Sequence, residues 1–197
     1  MAMQLPMKMW MKGNQVRMDV SMMVPGTDKT MEQITISDGN TISTYNSLNN
    51  TIMVIDLNKL PEEIRKMAKN QYAAKSMGFD MEMFGKIKDC LKVDEITRND
   101  RKLYLITLDD INAIKNSLNL PLSTERSPFK KLVYAIDYNT LLPVKMEVYT
   151  EGDTPGMWMD FIELKTSGVQ DSVFNVKFPS DAKRMDITDS VRSSLGK

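Results

Sequence analysis

Between Met7 and Ile55 apolar and polar residues alternate at a period of two, and turn residues cut the alternation into short lengths. This is the strongest constraint in the chain, because residues two apart share a face of a strand but not of a helix. Met7 to Lys12 reads Met, Lys, Met, Trp, Met, Lys and stops at Gly13-Asn14. Val16, Met18, Val20 and Met22 then alternate with Arg17, Asp19 and Ser21, up to Pro25-Gly26. Next come Met31 to Ser37, the turn Asp38-Gly39-Asn40, Thr41 to Asn46, a polar Ser47 to Asn50 turn, and Thr51 to Ile55. Asp-Gly between β-rich runs is a hairpin signal, since the central residues must tolerate positive φ. An antiparallel meander is predicted.

The pattern changes near Asn58. Pro61-Glu62-Glu63 suits a helix start, with proline in the first turn and acids at the positive end of the dipole. Met77, Met81, Phe84, Ile87 and Leu91 follow helical spacing, so helices are predicted over about 61–91. Strands return over about 102–178: Lys102 to Thr107, Phe129 to Tyr138, Pro143 to Thr150, Gly156 to Thr166 and a last short Phe174 to Phe178. Asp109 to Asn119 is read as a short helix and Leu120 to Pro128 as a loop, and the tail is given one helical turn. No repeat or linker divides the chain. The expectation is one domain over 1–197, an α+β fold whose helices pack on one side of a large antiparallel sheet.

Composition removes whole classes of function. The chain has no histidine, so Ser-His-Asp and Cys-His nucleophile systems and imidazole metal ligands are absent from it. Its single cysteine, Cys90, leaves no disulfide and no thiolate zinc site. The 26 Lys and Arg balance 26 Asp and Glu, whereas a nucleic-acid binder needs a basic excess over phosphate. The nine glycines are isolated, so no phosphate loop is spelled. Carboxylate pairs Asp109-Asp110 and Glu62-Glu63 read as loop and helix-start charges. The chain is therefore expected to be no enzyme and to carry no cofactor or metal. No signal-peptide pattern opens it, and no run reaches the ~20 apolar residues of a membrane helix.

Eighteen methionines stand out, ten of them within the first 53 residues, mostly in strands, where methionine is not favoured. One reading is core filler. The other is a flexible, polarizable lining for apolar ligands of variable shape. Met7, Met9 and Met11 share a strand face with Trp10 behind them, and Met157, Met159 and Phe161 share another with Trp158 and Ile162 behind. Both faces of these strands thus carry large apolar groups.

The order of motifs resembles the LolA-like periplasmic lipoprotein carriers and their relatives LppX, LprG and RseB. Met9-Trp10-Met11-Lys12 and Arg17-Met18-Asp19 look like the family's early Trp–x–Lys and Arg–x–Asp strand pair. Ile36 to Asn46 looks like its Asp-Gly…Tyr-Asn hairpin. Ala135 to Lys145 resembles the later hairpin whose acidic turn leads into a Leu-Pro strand, and Phe174 to Pro179 with Asp186 resembles the closing strand. Gly13 stands where the lipoprotein carriers place an arginine.

The resemblance, from about Met7 to Thr188, implies a curved antiparallel sheet, an incomplete β-barrel, covered by a helical lid with acyl chains held between. It implies an extracytoplasmic, non-enzymatic carrier of lipids or lipidated proteins, with acyl chains as ligand, a membrane-associated protein as a further partner and no nucleic acid. The expected cavity lining is Met9, Met11, Val16, Met18, Val20, Met22, Ile34, Ile36, Ile42, Ile52, Val54, Met146, Val148, Met159 and Phe161. Met77, Met81 and Phe84 would join them from the lid. The alternative is an RseB-like sensor that docks a protein partner through strand edges and the Leu120 to Pro128 loop.

Overall fold

The computed structural model describes residues 3–62, 65, 87–109, 130–150 and 152–195. The alternating segments form β1 (Met3–Lys12), β2 (Gln15–Met23), β3 (Thr30–Ser37), β4 (Thr41–Asn46) and β5 (Thr51–Asp56). β6 (Leu91–Arg98), β7 (Arg101–Leu108), β8 (Lys131–Asp137), β9 (Pro143–Tyr149), β10 (Met157–Lys165) and β11 (Lys183–Asp186) follow, and then the helix α1 (Thr188–Leu195). The hydrogen-bonded order is β11-β5-β4-β3-β2-β1-β10-β9-β8-β7-β6. Hairpin neighbours from β1 to β5 and from β6 to β10 pair antiparallel, while β11 lies parallel to β5.

The α+β expectation, with its helical lid, is overturned. Among the described residues the protein is nearly all strand, in an eleven-stranded sheet, and α1 is the one α-helix described along its whole length, with Glu62 and Arg65 also helical and the Arg65 N–H donating to Pro61 at 2.9 Å. The helical stripe runs on spacing to Leu91, yet Leu91 opens β6, which pairs with β7 along its whole length. A 3-10 turn at Lys88–Cys90 separates it from what precedes. Asn99 and Asp100, both at positive φ (51° and 59°), then turn the hairpin. Spacing cannot distinguish the end of a helix from the first residue of a strand when each is apolar. Met77, Met81 and Phe84 lie outside the described residues, as do the Asp110 to Asn119 portion of the expected short helix and the Leu120 to Pro128 loop.

Phe174 to Phe178 is no strand. Asp171–Phe174 forms a 3-10 turn and the chain continues without a ladder. The turn closes on its own backbone, the Val173 N–H donating to Gln170 and the Asn175 N–H to Ser172, and Arg17 Nη1 donates to the Val173 carbonyl at 2.9 Å. A strand forms later, where Lys183–Asp186 pairs with the outer edge of β5.

The chain divides into two compact units. One is Met7–Met77 with Glu163–Lys197, and the other is Met1–Pro6 with Gly78–Ile162. In the first, Ile42, Leu57 and Leu60 form a buried cluster, with Ile55 and Val191 packed against it. The 3-10 turn Leu57–Lys59 begins at Asp56, whose Oδ1 accepts from the Asn58 N–H. In the second, Ile87, Leu108, Tyr134 and Ile136 make the core, flanked by Leu91, Tyr104, Ile106, Leu132 and Met146.

Two hairpins, one in each unit, share an Asp-x-Asn-Thr turn. Asp38 Oδ1 accepts from the N–H groups of Asn40 (2.8 Å) and Thr41 (2.6 Å). Asp137 Oδ1 accepts from Asn139 (3.1 Å) and Thr140 (2.8 Å) in the same way. At the first turn Gly39 has φ +86°, and a Cβ built there would stand 2.9 Å from the Asn14 Cβ. Only glycine meets both demands.

Candidate apolar binding face

Pairing register assigns each strand residue to a face, because directly opposed residues point the same way. In the first unit Met7 pairs with Val20, Met9 with Met18 and Met11 with Val16. With Met22, these seven residues are the whole of that face along β1 from Met7 and along β2 from Val16 to Met22, and every one is apolar. Met7, Met9 and Val16 are buried, while Met11, Met18, Val20 and Met22 are half-buried.

Continuing across β3 and β4, the face turns polar. Val16 faces Ser37, Met18 faces Thr35, Val20 faces Gln33 and Met22 faces Met31. The Thr35 and Thr44 hydroxyls lie 3.2 Å apart, and Asn46 Nδ2 donates to Met31 Sδ at 3.3 Å. Ile42 belongs to this face too, opposite Ser37, but it is only 2% exposed, sealed with Leu57 and Leu60. Thr44 opposes Met53, and Met185 lies alongside Met53, so two further methionines close the far side.

Ile34, Ile36, Ile52 and Val54, expected in the same lining, lie on the opposite face. Ile34 opposes Asp19 and Ile36 opposes Arg17, while Ile52 opposes Tyr45 and Val54 opposes Ser43. Each strand alternates correctly by itself, but alternation within one strand says nothing about its phase relative to the next. The register supplies the phase, and here it puts the isoleucines behind the methionines.

That opposite face carries the charges. Arg17 makes a two-pronged contact with Asp19 (2.9 and 2.6 Å) and stacks over Trp10, 5.0 Å from the ring centre. Trp10 Nε1 donates to Glu163 at 3.0 Å, and Lys12 pairs with Asp171 at 2.8 Å. The Lys165 and Trp10 donors hold the Glu163 carboxyl below its usual range. Between this face and the 174–178 segment is a cavity of about 330 Å³, lined by Gln15, Ile36, Ser37, Asp38, Thr41, Ser43, Phe174, Asn175 and Phe178. Burial pushes Asp38 upward, and the Thr41 and Asn40 N–H donors outweigh it, leaving its carboxyl below the ordinary value. The cavity has no counterpart among the sequence expectations, since reading 174–178 as a strand hides its role as a cover.

In the second unit Met146, Val148, Met159 and Phe161 do share a face. Met159 opposes Met146 and Met157 opposes Val148, with Tyr134 and Leu132 next across β8. Val148 is buried and the other three half-buried. Burial alone raises the Tyr134 phenol. The reverse face is polar and aromatic: Lys145 sits 5.4 Å from the Trp158 ring centre and pairs with Glu147 at 2.7 Å. Tyr149 donates to Glu147 at 2.8 Å, and burial followed by that bond pushes its phenol up to about 12.

Among the described residues no three His, Cys, Asp or Glu side chains converge as metal ligands would. No helix there is long and apolar enough to cross a membrane, which says nothing about strands. No family model and no curated protein matches the sequence. Among solved structures, the chain is similar to a conserved protein of uncharacterized function from Thermus thermophilus. That likeness has a TM-score of 0.45 at 9% identity, over 87% of this chain and 83% of that one. It is also similar, more distantly, to a domain described as an outer membrane lipoprotein-sorting protein from Vibrio parahaemolyticus. There the TM-score is 0.24 at 13% identity, over 70% of this chain and 57% of that one.

Proposed function

We propose that the chain is a non-enzymatic binding protein for the acyl chains of lipids or lipidated proteins, acting outside the cytoplasm. The observation that carries this is the seven-residue apolar face of β1 and β2, five of them methionines, with no charged side chain among them. Methionine is unbranched and polarizable, so such a surface adapts to a flexible chain without a fixed shape. Each methylene withdrawn from water onto it contributes about 0.8 kcal/mol, and a long acyl chain therefore needs no polar anchor. The resemblance of the Trp10, Asp38, Asp137 and Phe174 segments to periplasmic lipoprotein carriers supports the extracytoplasmic setting.

The test is mass spectrometry of gently purified protein under native conditions, together with uptake of a fluorescent fatty acid. A bound lipid and saturable uptake are expected. Met11→Glu and Met18→Glu, which place charge on the face, should weaken uptake at least tenfold, while Met23→Glu, on the opposite and exposed side, should leave it unchanged. Protein that carries no lipid and takes up no fatty acid overturns the reading.

A further inference from the structure

The same strand pair offers chemistry that an acyl chain does not use. Burial alone is served better in a strand by valine, isoleucine or leucine, yet Met7, Met9, Met11, Met18 and Met22 occupy five of the seven positions. What methionine adds is a thioether, a soft and neutral donor that selects soft cations such as Cu(I) over hard ones.

The register brings three of these methionines to neighbouring positions on one face. Met9 and Met18 stand directly opposite one another, and Met11 is the next residue along on the same face. Opposed side chains begin about 5 Å apart and diagonal ones about 7–8 Å apart at Cβ. Methionine's three rotatable bonds let the sulfurs close that gap around one ion. Met31 is a poorer candidate, since its sulfur already accepts the Asn46 amide. Met9 is buried, whereas Met11 and Met18 are half-buried, so the position is partly dry but open to entry. A neutral donor set on an uncharged face suits a monovalent ion better than a divalent one, whose larger desolvation cost thioethers would not offset.

We propose that Met9, Met11 and Met18 form a thioether site for a soft monovalent cation of the Cu(I) type. The site goes beyond acyl-chain binding and does not depend on it.

Silver(I), which shares this chemistry without redox turnover, is the probe. The full chain, labelled at its methionine methyl carbons, is titrated with silver nitrate in chloride-free buffer and followed by NMR. The titration is run in parallel with a Cys90→Ser variant, so that the single thiol cannot account for uptake. Saturation near one equivalent is expected, with the Met9, Met11 and Met18 methyls shifting in both proteins. The double variant Met9→Leu, Met18→Leu, close in volume and still apolar, should lose at least tenfold in silver affinity while keeping its circular-dichroism spectrum and its thermal transition. Met23→Leu should match the wild type. Absence of binding, loss of binding in Cys90→Ser alone, shifts confined to other methionines, or full affinity in the double variant would each overturn the proposal. Uptake of fatty acid is read separately, so its failure does not bear on the metal site.

Discussion

Asp137 shows how one side chain can hold a turn and a charge together. Its side chain is 6% exposed, Arg101 Nε donates to it at 2.5 Å, and Thr140 donates through both N–H and hydroxyl. The Arg101 bond first, and the Thr140 N–H next, lower its carboxyl from 3.8 to about 2. A lowered folded-state value means that the carboxylate stabilises the fold fully above pH ~4, and that this contribution fades as pH falls toward about 2. Denaturation profiles across that window should therefore lose stability with acid, and Asp137→Asn should flatten the loss while lowering the transition temperature at neutral pH. At the other turn, Gly39→Ala forces a side chain into positive φ against Asn14. A destabilisation of about 1–3 kcal/mol is expected in urea titrations, with no change in slope.

At the level of elements, hairpins are legible wherever the turn announces itself. Thr41 to Asn46 is bounded by Asp38-Gly39-Asn40 on one side and Ser47 to Asn50 on the other, and β4 occupies those same residues. β6 escapes because Leu91, Val93 and Ile96 sit among Lys92, Asp94, Glu95 and Arg98, a charge-rich composition without a clean alternation. The placement of Ile34 and Ile36 escapes for a different reason: phase between strands is a property of pairs, not of either strand. β11 has four exposed residues, Lys183 to Asp186, and no apolar face to betray it. Its role is positional, leading into α1. There Thr188, 2% exposed, accepts the Asp56 N–H at 2.9 Å through its hydroxyl, and its own N–H donates to Asp186. Thr188→Val keeps the shape and leaves the Asp56 N–H without its acceptor, at a cost of about 1–3 kcal/mol, whereas Thr188→Ser should cost less. Chemical denaturation of the two variants side by side separates the hydroxyl from the methyl.

For the whole molecule, the sheet order predicts where it opens. β11 and β6 are its two ends, and both are largely exposed. Hydrogen exchange should therefore be fastest at the amides of these strands and slowest in β3, β4 and β8, which are paired on both sides. Uniform protection across all eleven strands would contradict this. The candidate face is a whole-molecule property in the same sense. Its methionines are visible in the sequence as a surplus that shares a face within each strand, and the register then determines which of those faces lie side by side.

The parallel strand β11 also bears on how the protein is made. The unit that begins at Met7 is finished by Glu163–Lys197, so its first and last pieces are separated by the synthesis of everything between. Until residues 173–188 leave the ribosome, the outer edge of β5 lacks its β11 partner, Asp56 has no Thr188 hydroxyl to donate to, and Arg17 has no Val173 carbonyl. Vectorial folding thus leaves the earliest-born strands exposed longest, which is when an open strand edge is most easily captured by another chain. A nascent protein of this topology depends more than most on the speed with which translation passes residues 163–195.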